Sequence, residues 1–275
     1  MRFGPSMSCF QRSSTLGWLT LCRRRNLGYL VHPSLATRLD RFSRIADIGT
    51  GTGIYLIELS RQLPATCRLD GFDISDVQYS SPEALPANVS LALQNAKQAF
   101  PAALKGKYDL VHLRLLMSAM EKDDWEVVAA NAVRLLKPGG AIQWAEGDFL
   151  HSAYLRSGSE TGPKNLEYVA QRFHEGIGHR LQYGHSTLPA IFEQQGLRGV
   201  FQDIVASDRI SETRKNITRI SYDGIFGWAN QMHIKGAPGA WTLQEIKELR
   251  RKCEEEILAG GYYRFEIYVT IGYTQ

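Results

Sequence analysis

Cysteine is scarce. The chain of 275 residues holds four (Cys9, Cys22, Cys67 and Cys253), far apart and never as CxxC. That excludes a disulfide framework and a cysteine-ligated zinc site, and it suits a reducing compartment. Long apolar runs are also missing. The best N-terminal stretch, Leu16 to Cys22, is about one-third of the roughly 18 residues a membrane span needs, and three arginines stop it. No membrane partner is expected. Acid is absent from the first 39 residues, which carry six Arg and no Lys, while residues 40–275 sum to −2. The net charge of +4 therefore belongs to a leader rather than to a folded basic face, and nucleic acid is not expected as a partner. No phosphate-binding GxxxxGK[ST] and no serine nucleophile elbow occur. His174-Glu175 and His179 resemble HExxH but lie one residue too far apart, so on a helix the two rings would sit about 140° apart. No metal is expected.

The rest is ordinary globular composition, 44% apolar and 22% charged. Residues 1–26 are rich in Arg and Ser. Residues 1–24 are expected to be poorly ordered in a cytoplasmic protein, with a mitochondrial transit peptide as the alternative. From residue 27 a regular alternation begins. Strands are predicted at 43–48, 67–74, 88–94, 107–113 and 141–146, with helices at 54–63 and 123–136. Lys137-Pro138-Gly139-Gly140 reads as a stop followed by a turn. This order predicts an α/β fold, a doubly wound, mostly parallel sheet with helices on both faces. Residues 151–195 and 208–258 read as mostly helical and polar, a helical cap insertion into a single domain over 27–275. A lone strand at 197–205 lies between them. A strict period-2 segment, Tyr263 to Tyr273, adds a last strand and makes seven.

The informative stretch is Asp47-Ile48-Gly49-Thr50-Gly51-Thr52-Gly53, where a strand turns into a helix. Glycines there permit positive φ and close approach of a ligand to the backbone. The helix that follows favours an anion. A second strand ends at Asp73, 24 residues past Gly49, where an acid suits ribose hydroxyls. These features leave NAD and S-adenosylmethionine both open. The third position of an NAD fingerprint is Ile54 here, neither Gly nor Ala.

ADIGTGTG, GFDIS, KYDLVHLRLL and LLKPGGAIQWAE, in that order, resemble the class I S-adenosylmethionine-dependent methyltransferases, and most of all the fungal secondary-metabolism, LaeA-like group. The resemblance covers 27–150 well, the last strand moderately and 151–258 vaguely. It implies a Rossmann-like fold, S-adenosylmethionine as cofactor and a small-molecule acceptor. Asp47 matches the family's first-strand acid. Gly49, Thr50, Gly51 and Gly53 match the loop that holds the amino-acid end of the cofactor. Asp73 matches the ribose-binding acid, and Ile74 after it would cover the adenine. Asn95-Ala96 stand where many members have an acid, and an Asn oxygen can still accept from the adenine amino group. Arg114 stands where the family lines the reacting end. A LaeA-like regulator acting through a protein partner, or a cofactor-binding protein of another activity, fits the same resemblance.

No catalytic base is legible, and methyl transfer needs one only when the nucleophile arrives protonated. By position Glu146, His151, Tyr154, Tyr222 and His233 qualify, each with a structural role as the plainer reading. His112 lies inside a strand and reads as a packed core histidine. Family members usually carry a polar, acid-containing helical segment before the first strand. Residues 25–33 look like its tail and 1–24 do not look like its beginning, so an incomplete lid is expected.

Overall fold

The computed structural model describes residues 25–158 and 160–275. The expectation for residues 1–24 lies outside the described residues. A one-turn helix α1 (Pro33–Ala36) precedes strand β1 (Arg44–Ile48), helix α2 (Ile54–Ser60), β2 (Arg68–Asp73), β3 (Val89–Leu93), β4 (Tyr108–Arg114), helix α3 (Asp124–Val133) and β5 (Leu136–Arg156). Helices α4 (Lys164–Leu181) and α5 (Leu188–Gln194), strand β6 (Arg198–Ala206), helices α6 (Ser211–Ile234) and α7 (Leu243–Leu258) and strand β7 (Gly261–Tyr273) complete the order.

The strands form one seven-stranded sheet in the order β3-β2-β1-β4-β5-β7-β6. Strands β1 to β5 pair in parallel. The added strand β7 runs antiparallel to β5: Thr274 N–H donates to the Gly140 carbonyl near the start of β5, and Ser157 N–H donates to the Gly260 carbonyl past its end. β1 and β4 are neighbours in register, Asp47 beside His112 and Ile48 beside Leu113. The chain passes outward in both directions from this pair, so β1 and β4 flank the topological switch point, where open α/β sheets bind ligands.

The chain divides into two compact units. One comprises 29–147, 182–204 and 267–275, and the other comprises 148–181 and 205–266 with the described residues up to 28. The first unit is built on continuous apolar strands. Ile45, Ile48, Leu69, Leu110, Val111 and Leu113 are buried, as parallel strands covered on both faces require. Trp144 of β5 stacks on Trp125 of α3 at 5.4 Å and touches Phe192 of α5. The second unit packs α4, α6 and α7 together. Thr242 and Glu245 form a capping box that starts α7.

Two expectations about the backbone change. Residues 151–156 belong to β5, not to a helical insert, because β7 supplies backbone partners out to Ser157. The Lys137–Gly140 turn is a bulge inside β5: Tyr108 faces Leu136, whereas Leu110 faces Ala141. Gly139 takes φ of +73° there, which only glycine adopts without strain.

Candidate functional site

The glycine loop joins β1 to α2. Gly49, Gly51 and Gly53 all have positive φ, at 72°, 57° and 77°. A side chain at Gly49 would strike Leu116, and one at Gly53 would press on Leu91 at 3.1 Å. Gly49 and Thr50 N–H both donate to the Phe72 carbonyl, which ties the loop to β2. The segment after β2 returns to the same loop. Ser80 donates to the Thr52 carbonyl through both its amide and its hydroxyl, at 3.3 and 2.7 Å.

Asp73 ends β2 and is half-buried. Its Oδ2 accepts from Gly51 N–H at 2.8 Å and its Oδ1 from Ser75 N–H at 3.3 Å. The carboxylate therefore stands directly beside the loop. Apolar surface flanks it. Ile74 follows and is 71% exposed, and Leu93, in register with Asp73, is 59% exposed. A carboxylate for two hydroxyls beside uncovered apolar side chains suits a ribose carrying a flat base.

Asn95 lies just past β3, and its Oδ1 accepts from Lys97 N–H at 3.0 Å. A carbonyl oxygen has a second lone pair, which suits an amino donor. The Ala96 carbonyl accepts from the buried amide of Asn131 on α3, at 2.9 Å, which fixes this turn. Arg114 ends β4 with its guanidinium 5.8 Å from the Tyr55 ring centroid. Leu115 after it takes φ of +51°, a conformation few branched residues adopt and one found at functional bends. The structure thus brings Gly49, Thr50, Gly51, Gly53, Asp73, Ile74, Asn95, Ala96 and Arg114 to the carboxyl ends of β1 to β4.

Asp47 is placed differently. It is buried below the loop, accepting from the Thr50 hydroxyl and facing His112, each at 2.7 Å. Its contacts are with the protein interior, so it supports the loop from beneath. His112 is the core histidine that its strand position predicts, 3% exposed, with Tyr55 stacked on it. Its pairing with Asp47 is not among the sequence-based expectations. The available signal is that each residue stands just before the last apolar position of its strand, Ile48 and Leu113.

The residues considered as bases have structural partners. Glu146 is fully buried and accepts from Leu116 N–H and the Trp144 indole. His151 has an exposed ring with Nδ1 2.8 Å from Oδ2 of buried Asp148. The Tyr154 hydroxyl meets Ser152 at 3.1 Å. His233 Nδ1 lies 3.1 Å from the Trp241 carbonyl. Tyr222 is buried, and its hydroxyl donates to the Leu166 carbonyl. Burial holds that hydroxyl protonated, its pKa well above the phenol value of 10. Tyr222→Phe is expected to cost about 1 kcal/mol, one neutral hydrogen bond, in a urea titration. A loss above about 3 kcal/mol would show that more than this bond was removed.

Comparisons with known proteins agree with this geometry. A family model described as a methyltransferase domain matches residues 45–140. Methyltransferase grgD of a Penicillium species is 41% identical over 241 residues, covering 80% of this chain and 78% of that protein. The secondary metabolism regulator LAE1 of Gibberella fujikuroi is 27% identical over 249 residues, covering 85% of this chain and 75% of that one. The solved YcgJ protein of Bacillus subtilis shares the fold, with a TM-score of 0.51 at 12% identity, covering 92% of this chain and 99% of YcgJ. On the Penicillium relative, and on the loop and Asp73 that the matched segment contains, the chain belongs to the class I S-adenosylmethionine-dependent methyltransferases, related to the fungal LaeA-like regulators and methyltransferases.

Proposed function

We propose that this chain transfers a methyl group from S-adenosylmethionine to a small organic acceptor of secondary metabolism. The observation that carries the reading is Asp73, a carboxylate at the tip of β2 held against the glycine loop with uncovered apolar surface on either side. Gly49, Thr50, Gly51 and Gly53 would receive the amino-acid end, Asp73 the ribose, and Ile74 with Asn95-Ala96 the adenine. The cofactor supplies an electrophilic methyl on sulfonium. The chain's own residues bind, orient and exclude water, which carries much of the rate in such transfers. The acceptor's lone pair would form the new bond to the methyl carbon as the carbon–sulfur bond breaks, sulfur would keep that electron pair, and any proton on the acceptor atom would pass to solvent.

Relatives named methyltransferases support catalysis, and N-methyltransferase tcpN of Claviceps purpurea matches over 121 residues, 41% of this chain and 43% of that one. The long match to LAE1 favours a second reading, a regulator that works through a protein partner. Metabolite extracts from strains with and without the gene separate the two. A product one methylene heavier than its precursor supports transfer. Its absence, together with a stable protein partner in pull-down, supports regulation. Tighter binding of NAD than of S-adenosylmethionine in calorimetry would defeat both.

No described helix is long and apolar enough to cross a membrane. We propose the cytoplasm as the site of action, tested by a diffuse signal from a full-length fluorescent fusion. A mitochondrial signal would favour the transit-peptide alternative.

The Asp73 carboxyl sits above the ordinary aspartate value. Burial is the largest cause and raises it, the amides of Gly51, Ser75 and Ile74 lower it, the Asp47 charge raises it again, and the net shift is upward. An ionised carboxyl accepts from two hydroxyls through charge-assisted bonds, whereas protonation removes the charge and turns one oxygen into a donor. Cofactor affinity is therefore expected to be full at neutral pH. It should fall as pH drops through this raised value, earlier than for a free aspartate near 3.9. Calorimetry at descending pH checks this, and a flat affinity down to about pH 4 would refute it.

A further inference from the structure

A polar row crosses the sheet beneath the glycine loop. Register sets Gly71 of β2, Asp47 of β1, His112 of β4 and Gln143 of β5 side by side. Residues so aligned present their side chains to one face. Asp47 and His112 are almost inaccessible to solvent, at 1% and 3%. Nδ1 of His112 lies 2.7 Å from Oδ1 of Asp47, and the Thr50 hydroxyl donates to Oδ2 at 2.7 Å. Both oxygens of the carboxylate are thus engaged inside the protein. Tyr55, on the helix that the loop opens, lies flat on the His112 ring at 3.7 Å and 9°.

Three glycines within five residues leave this loop little conformational preference of its own. Asp73 and Ser80 tie the loop at the Gly51 amide and the Thr52 carbonyl, and the Asp47–Thr50 bond ties it from beneath through a side chain of the loop itself, since Thr50 sits between Gly49 and Gly51. That tie needs Asp47 held in one orientation, and a buried carboxylate keeps its place only while donors satisfy it. Gly71 completes the arrangement. A side chain there would lie 2.9 Å from the Thr50 hydroxyl oxygen and 2.5 Å from Leu91.

We propose that His112 is a positioning residue for cofactor binding. Through its Nδ1–H it fixes Asp47, Asp47 fixes Thr50, and Thr50 holds the loop in its receptive conformation. The inference rests on S-adenosylmethionine binding at this loop, as proposed above. It separates two roles of the ring, donor to Asp47 and stacking partner of Tyr55.

The test compares His112→Asn with His112→Leu. An asparagine amide nitrogen stands close to where Nδ1 stands and donates as it does, while leucine fills volume and donates nothing. Both lose the stacked ring, so both are expected to lower the melting temperature. Only His112→Leu loses the donor. Calorimetry with S-adenosylmethionine is expected to give His112→Asn within about threefold of the wild type and His112→Leu weaker by about tenfold or more, the effect of one buried hydrogen-bond partner lost. Equal weakening in both variants would overturn the proposal and assign the effect to the ring. Unchanged affinity in both would overturn it as well. A wild type that binds no S-adenosylmethionine would refute the cofactor reading and this inference together, whereas a binding wild type with an unaffected His112→Leu refutes this inference alone. Where His112→Leu fails to fold, Thr50→Val against Thr50→Ser reads the same tie from its other end. Valine is expected to be about tenfold weaker than serine, and parity would overturn the proposal.

Discussion

Asp73→Ala is expected to weaken S-adenosylmethionine binding by about 10- to 150-fold. A hydrogen bond to a charged group contributes about 1.5–3 kcal/mol, and every 1.4 kcal/mol is tenfold in affinity. The fold should survive. Asp73 ends its strand, is half-buried, and bonds to amides of Gly51 and Ser75 at the margin of the loop rather than in the core. The melting temperature therefore reports whether the variant is intact, and calorimetry reports the lost contact. Asp73→Asn keeps one acceptor oxygen for the Gly51 amide but loses the charge, so its affinity should fall between the two. The order wild type, asparagine, alanine is the signature of a ribose acceptor. An alanine variant with wild-type affinity would remove Asp73 from the site.

Much of this arrangement is legible in the sequence alone, for identifiable reasons. The strand–loop–helix at residues 44–60 announces itself because a buried strand must end in an apolar run and three alternating glycines mark a tight turn. Strand β7 is legible because its alternation of buried and half-buried residues is written directly in the chain. Local patterns of this kind need no partner. What stays hidden depends on partners far away in sequence. Asp47 reads as a ligand contact by family position, but its neighbour 65 residues on turns it inward. Residues 151–156 carry no decisive periodicity and become strand because β7 pairs with them. Glu146 ends the strand that the sequence predicts at 141–146, where a base would stand, although β5 runs on to Arg156. That the Leu116 amide and the Trp144 indole have already claimed it is a fact of packing.

Glu146 carries the largest stability effect expected. Its side chain is fully buried, and Oε1 accepts from the Leu116 amide at 2.9 Å and from the Trp144 indole at 2.7 Å. Glu146→Leu keeps much of the volume and leaves both donors without this acceptor. An unsatisfied buried donor costs about 1–3 kcal/mol, and the Trp144 indole is buried while the Leu116 amide is partly so, so a loss of about 2–6 kcal/mol is expected, a large part of a typical domain's stability. Glu146→Gln retains an acceptor oxygen and should lose less, about 1–2 kcal/mol. Urea unfolding with unchanged slopes measures both. The damage should also reach the cofactor. Leu116 is the side chain that packs where a Cβ on Gly49 would lie, and it follows Leu115, whose backbone is already in a costly conformation. Releasing the Leu116 amide removes a restraint from both. Glu146→Leu should therefore bind S-adenosylmethionine less tightly than Glu146→Gln at a temperature where both remain folded. A leucine variant as stable as the wild type would mean that the two donors find other acceptors and that Glu146 does not hold this corner of the sheet.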